Sequence, residues 1–239
     1  MAYLGFDTSN YTTSVAAYFP DEGRVIQEKL LLPVKSGEKG LRQSDAVFHH
    51  TVQLKKAFKK LMDGRNIHVD GVCASAKPCL RDDSYMPCFL VGRTAASCAA
   101  LSANAPFFET AHQHGHIVAA LFSAGRLDLL KEKFVAFHLS GGTTEALLVS
   151  PDENEIISAE KIAGSLDLKA GQAVDRVGLM LGLRFPCGKE LEKLAFQSEK
   201  KFKIKPSMKD LDCSLSGIEN KAKKFIEQGE KREDIALFC

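Results

Sequence analysis

Three histidines within five residues, His112, His114 and His116, are the first candidates for chemistry, because imidazole binds transition metals and moves protons near neutral pH. On a helix, His112 and His116 stand one turn apart on the same face, where two ring nitrogens can hold one metal ion; His114 points roughly opposite. No glutamate follows His112, as it would in a HExxH metalloprotease helix. A working site needs a third ligand, usually a carboxylate, and an open position. Spacing alone does not choose that ligand, and Asp7, Asp175 and others are candidates.

The second feature is a repeated polar turn. Tyr3–Asp7 reads as a strand, Thr8-Ser9-Asn10-Tyr11 as a turn and Thr12–Phe19 as a second strand; Phe134–Leu139, Ser140-Gly141-Gly142-Thr143 and Thr144–Ser150 follow the same plan. An offset of 131 carries Asp7 onto His138, Ser9 onto Ser140, Thr12 onto Thr143 and Thr13 onto Thr144. One such turn is an ordinary hairpin loop. A repeated one implies a duplicated, two-lobed α/β chain. Turns of Ser, Gly and Thr also present several backbone N–H groups and hydroxyls to one point, a concavity suited to phosphate oxygens. Thr8, Ser9 and Asn10 are then the phosphate contacts of the first turn, and Asp7 can orient water or a metal beside them. Two such turns, facing each other, can clamp a polyphosphate between lobes.

The elements that must position these residues follow from periodicity. Glu28–Val34 is a candidate third strand, and Ser44–Met62 has apolar residues at helical spacing that stop at Asp63-Gly64. Val69–Ser75 reads as a short buried strand and Phe89–Ala103 as a helix. Its Gly92, Ala95, Ala96, Ala99 and Ala100 permit close packing or a dimerisation surface. Pro106–Glu109 is another strand, His112–Gly125 an amphipathic helix and Arg232–Cys239 a final one. The expected organisation is a first lobe over residues 1–110, with residues 111–239 forming the histidine helix and an incomplete second lobe.

Composition sets the class. With 239 residues, 45% hydrophobic and 26% charged, the chain can bury one large core or two smaller ones and is not a disordered tail. A net charge of +2 leaves only local basic surface for nucleic acid, most densely Lys200, Lys201, Lys203, Lys205 and Lys209, continued by Lys221, Lys223, Lys224, Lys231 and Arg232; a solvated face is the default for lysine. Seven cysteines without CxxC spacing or a secretory segment read as reduced thiols in a cytoplasm, and no run approaches the ~20 apolar residues of a membrane helix.

Taken in order, Gly5-Phe6-Asp7-Thr8-Ser9, His112-Gln113-His114-Gly115-His116, Leu139-Ser140-Gly141-Gly142-Thr143-Thr144, Asp167 to Gly182, Pro186-Cys187-Gly188 and Cys213-Ser214-Leu215-Ser216-Gly217 resemble the tRNA N6-threonylcarbamoyladenosine synthases, a glycoprotease-like family. The resemblance covers most of the chain. It implies the actin-like ATPase fold, iron or zinc at His112 and His116, and an ATP- or AMP-like nucleotide or the threonylcarbamoyl adenylate against His138, Leu139, Ser140, Gly141, Gly142, Thr143, Asp175 and Gly188. The implied reaction moves a threonylcarbamoyl group from its adenylate to N6 of adenosine 37 in tRNA.

Departures accompany the resemblance. Thr143 stands where the family usually has histidine, Leu168 and Gln172 replace acidic residues, and Cys187 replaces a glycine. The loop Arg81–Pro87 replaces a glycine-rich stretch. Family members continue past the position of Cys239 with an adenosine-binding Gly-Gly…Asn segment and a metal-binding aspartate. A divergent, shortened paralogue is therefore expected. If it is not a metal-dependent transferase, it is a non-catalytic subunit pairing with itself or with a relative.

Overall fold

The computed structural model describes residues 1–9, 11–33, 41–81 and 83–239. They divide into two compact α/β units, Met1–Leu127 and Asp128–Cys239. The first unit contains β1 (Tyr3–Asp7), β2 (Thr12–Phe19), β3 (Arg24–Leu31), α1 (Gln43–Met62), β4 (Gly71–Lys77), α2 (Phe89–Ala103), β5 (Phe107–Ala111) and α3 (His112–Ser123). Its sheet runs β3-β2-β1-β4-β5, antiparallel from β3 to β1 and parallel from β1 to β5.

Alternation along β1 decides what lies on each face. Leu4 and Phe6 are buried with Val15 and Ala17 of β2 beneath α1 and α2. Tyr3, Gly5 and Asp7 therefore face the other way. On α1 the buried residues Ala46, His50, Leu54, Ala57 and Leu61 recur at helical spacing and form the stripe that meets the sheet. Gly64, at φ 66°, follows the end of that helix, and the Arg65 guanidinium donates to the Leu61 carbonyl at 2.8 Å. On α2 the close approach foreseen from its small residues occurs at Gly92, where a Cβ would stand 2.8 Å from Thr8 Oγ1. A trough of about 540 Å³ remains between α1 and α2, lined by Leu54, Phe58, Leu90 and Val91 among others. On the opposite face, Phe122 of α3 meets Tyr18 of β2 edge to face, with ring centroids 5.7 Å apart.

The second unit contains β6 (Phe134–Leu139), β7 (Thr144–Asp152), β8 (Ile156–Gly164), α4 (Ala170–Met180), α5 (Gly188–Ala195), the two-residue strands β9 (Met208–Lys209) and β10 (Asp212–Cys213), α6 (Ser216–Glu227) and α7 (Arg232–Phe238). Its larger sheet is the antiparallel β6-β7-β8. Val177, Leu181, Leu191, Ala222 and Ile235 join the four helices in one core, to which Phe225 and Phe238 add an edge-to-face pair at 5.1 Å.

The duplication read from two turns extends to three strands. Tyr3 pairs with Tyr18 and Asp7 with Ser14, while Phe134 pairs with Val149 and His138 with Glu145, so the offset of 131 preserves the hairpin register. The third strands, β3 and β8, follow at nearly the same displacement. The burial is not duplicated: Leu4 and Phe6 are 3% and 4% exposed, whereas their counterparts Val135 and Phe137 are 48% and 73% exposed.

Several boundaries differ from expectation. β3 begins at Arg24, because its pairing with β2 runs the full length of that strand to Phe19; Val34 lies outside the described residues. The strand expected over Val69–Ser75 runs from Gly71 to Lys77, since its parallel register with β1 starts at Tyr3–Gly71. Helix α3 packs against β4 and β5 and belongs to the first unit, not with residues 128–239. The lysines at 201, 203, 205, 209, 221, 223 and 224 are all exposed, while Lys200 donates to Glu230 at 2.6 Å.

Each unit ties its second strand to a following helix through a buried threonine. Thr13 donates to Gln53 Oε1 at 3.0 Å and lies 2.9 Å from His50 Nδ1, both on α1. Its counterpart Thr144 accepts from the Ala170 N–H at the start of α4 at 2.8 Å. Thr13→Val keeps the side-chain shape but takes this hydroxyl from buried His50 and half-buried Gln53, and should lower unfolding free energy by about 1–3 kcal/mol in urea denaturation.

Candidate functional site

Helix α3 opens at His112, directly after β5, and buries His114, Ile117 and Leu121. That inward stripe leaves His112 half-buried and His116 exposed on another face. Their Nε2 atoms converge to 2.9 Å. Behind them, Asp7 at the end of β1 places Oδ2 2.7 Å from His112 Nδ1. Asp7 Oδ1 also accepts the Ser9 N–H at 2.9 Å. Burial alone would push the Asp7 carboxyl up. The hydrogen bond from His112, with further hydrogen bonds from Ser75 and Ser9, holds it well below the usual carboxylate range.

This geometry places Asp7 differently from a third metal ligand. Its carboxylate sits on the Nδ1 side of His112, behind the ring, while the convergence point lies at Nε2. Among the described residues, no three His, Cys, Asp or Glu side chains are grouped to hold a metal ion. The donor set that is present fits two of a metal's ligands: two imidazole nitrogens aimed at one point, with a carboxylate on the far nitrogen of one ring.

The first turn divides its residues between packing and exposure. Thr8 is fully buried, donates to the Cys88 carbonyl at 2.8 Å and accepts the Gly92 N–H at 3.0 Å. Its hydroxyl therefore anchors the turn to α2 and is not presented to a phosphate. Ser9 is half-buried, and Asn10 lies outside the described residues.

The second turn is more open. Ser140, Gly141 and Gly142 are exposed. Ser140 Oγ accepts the N–H groups of Gly142 at 3.2 Å and Thr143 at 2.9 Å, and the Ser140 carbonyl accepts the Gly171 N–H at 3.1 Å. Helix α4 thus begins against the turn, and only glycine fits at 171, because a Cβ there would lie 2.6 Å from Gly141 N. His138 and Leu139 lead into the turn on β6, His138 half-buried and Leu139 exposed.

The same helix reaches the remaining predicted contacts. Asp175 Oδ1 accepts the Cys187 N–H at 2.8 Å, just before Gly188 opens α5. Gly188 lies beside Val174, where an added Cβ would find Val174 Cγ1 at 3.9 Å. So α4 links the Ser-Gly-Gly turn to Asp175 and Gly188 within one unit.

Sequence reading missed the role of Asp167. Its carboxylate takes the Ser216 hydroxyl at 2.5 Å and the Leu215 N–H at 2.8 Å, fastening the loop before α4 to the start of α6. The signal was present in Ser165-Leu166-Asp167 and Cys213-Ser214-Leu215-Ser216, but their 48-residue separation hid it.

The fold is that of the actin-like ATPase architecture: HypF of T. kodakarensis matches with a TM-score of 0.50 at 11% identity, over 98% of this chain and 38% of that one. Residues 34–238 match the tRNA N6-adenosine threonylcarbamoyltransferase family, and the chain belongs to that family. The Thermosipho africanus protein of that name is 30% identical over 99% of this chain and 71% of its own length, and the Ligilactobacillus salivarius one is 30% identical over 91% and 62%. A Thermoplasma acidophilum relative, named a probable bifunctional tRNA threonylcarbamoyladenosine biosynthesis protein, is 27% identical, with 99% of this chain covering 42% of it. The chain thus spans about two thirds or less of most of these relatives. No helix among the described residues is long and apolar enough to cross a membrane.

The Asp167 contacts carry a pH dependence of known sign. The Ser216 hydroxyl bond, aided by the Leu215 and Leu168 N–H groups and opposed by desolvation, holds the carboxyl well below its ordinary value of 3.8. A group depressed in the folded state stabilises above its unfolded value and loses that contribution as pH falls through the folded one. Asp167→Asn should therefore lower the urea midpoint at pH 6–7, with the gap to the unsubstituted protein closing as pH drops below 3.8.

Proposed function

We propose that this chain acts as a tRNA threonylcarbamoyl transferase, holding a divalent iron or zinc ion at His112 and His116 and a nucleotide or threonylcarbamoyl adenylate at the Ser140–Thr143 turn. The observation that carries the reading is the convergence of the two Nε2 atoms at 2.9 Å with Asp7 on the far side of one ring. A non-catalytic subunit has no use for that convergence. Membership in the family supports the substrate class.

When bound, a divalent ion supplies Lewis acidity toward a carbonyl oxygen. The chain's own residues do the rest. Gly142 and Thr143 direct their N–H groups at one acceptor, now Ser140 Oγ, and a phosphate oxygen competes for the same pair. Gly141 and Gly142 let the ligand approach the backbone without meeting a Cβ. Asp175 holds the Cys187 N–H and so keeps Gly188, with its exposed backbone, at the start of α5 beside α4. For a neutral, weakly nucleophilic amine such as adenosine N6, positioning of this kind contributes much of the rate.

Two measurements test the reading. Purified protein should contain iron or zinc that His112→Ala removes, and should restore the modified adenosine in cells lacking the usual synthase; equal metal content in both proteins sinks the metal assignment. For the nucleotide, calorimetric titration with ATP or AMP should show binding that Gly171→Ala weakens at least tenfold, because the added Cβ displaces the turn. Unchanged affinity would place the nucleotide elsewhere.

A further inference from the structure

A carboxylate is acceptor-only, so at 2.7 Å between Asp7 Oδ2 and His112 Nδ1 the proton belongs to the ring. A neutral imidazole carries one proton, so its Nε2 is then a bare lone pair. That lone pair faces His116 Nε2 at 2.9 Å, and without metal the N–H of His116 donates into it. We propose that Asp7 is the positioning residue of the pair: it fixes the ring and tautomer of His112 so that Nε2 is presented, unprotonated, where a divalent cation can bind once the His116 proton passes through solvent from Nε2 to its own Nδ1.

Asp7 is itself held. It ends β1, whose parallel register with β4 reaches Phe6–Ala74, so Ser75 is the next residue across and donates a side-chain hydrogen bond to the carboxylate. The other oxygen takes the Ser9 N–H. Phe89 meets the His112 ring edge to face with centroids 6.0 Å apart, which restricts the ring from a second side. The side chains of Asp7 and His112 are 25% and 30% exposed, so water competes poorly for the bond. One carboxylate therefore serves both the Thr8-Ser9 turn and the histidine helix. Outer partners of this kind typically change metal affinity 10–100-fold.

This inference rests on the metal reading above, and the test separates the two. The metal-free full chain, labelled with 15N, reports the protonation of each imidazole nitrogen, and Co2+ added to the same samples reports binding by visible absorption. In the unsubstituted protein at pH 7.5 His112 should carry its proton on Nδ1. Asp7→Ala should shift that proton toward Nε2 and weaken Co2+ binding by about 10–100-fold. Ser75→Ala, which keeps the carboxylate and removes one of its donors, should weaken binding by a smaller factor; it serves if Asp7→Ala fails to fold. An unchanged His112 tautomer in Asp7→Ala, or a doubly protonated His112 in the unsubstituted protein, overturns the proposal. A correct tautomer with no Co2+ bound upholds the positioning by Asp7 and removes the metal from the proposed function.

Discussion

A buried hydroxyl at the mouth of each hairpin is the constraint on which both units depend. Where a strand ends in a turn, backbone and side-chain polar groups leave the ladder and must find other partners. In the first unit Thr13 meets this demand toward α1 and Thr8 toward α2. In the second, Thr144 holds the first N–H of α4 while the Ser140 carbonyl holds the next. The turns that carry the candidate ligand contacts are thus fixed to helices on the side away from solvent, and their exposed side can remain polar and unfilled.

Much of this was legible beforehand. The sequence pattern predicts helix α2 over Phe89–Ala103 and the helix has those bounds, since its small and apolar residues run on without proline until Asn104 turns left-handed at φ 52°. The two hairpins were legible because strand alternation and polar turns are local signals. The third repeated strand, β8, was not: Ile156–Gly164 mixes Ser, Glu and Lys with its apolar residues, and the pairing with β7 that explains it is invisible in one strand alone. At the site, the histidine spacing is legible from helix geometry, and Asp7 is one of several candidate carboxylates. Its actual place required knowing that β1 ends beside the start of α3, a contact across 105 residues. The inward bonds of the Thr8 hydroxyl are hidden for a related reason, because composition does not say which turn hydroxyl faces inward.

The departures from the family pattern have local explanations. Cys187, at a usual glycine position, is fully buried beside Gly178, where a Cβ would lie 2.3 Å from that of Cys187. A side chain gained at 187 is thus accommodated by one absent at 178. Leu168, at a usual acidic position, is 6% exposed, so apolar burial holds the segment before α4 while Asp167 supplies the carboxylate. Nothing in the structure explains Gln172, which is exposed. Thr143 is half-buried and donates its N–H to Ser140 Oγ, a backbone role that its side chain does not determine.

The electrostatics of Asp7 explain why the histidine pair need not be a by-product of helical spacing. Desolvation makes an anion at the end of β1 costly unless donors surround it. Three do so: the His112 ring, the Ser75 hydroxyl and the Ser9 N–H. Turning the ring over would replace an N–H with a C–H against a shielded carboxylate, leaving part of that charge uncompensated. The same local requirement that keeps Asp7 ionised therefore sets the direction of His112 Nε2. Because His116 follows one helical turn later, the direction that satisfies Asp7 is also the one that brings the two nitrogens together. A purely structural hydrogen bond would end at His112. Here the chain of polar groups runs on to an exposed second imidazole, where solvent and ligands have access.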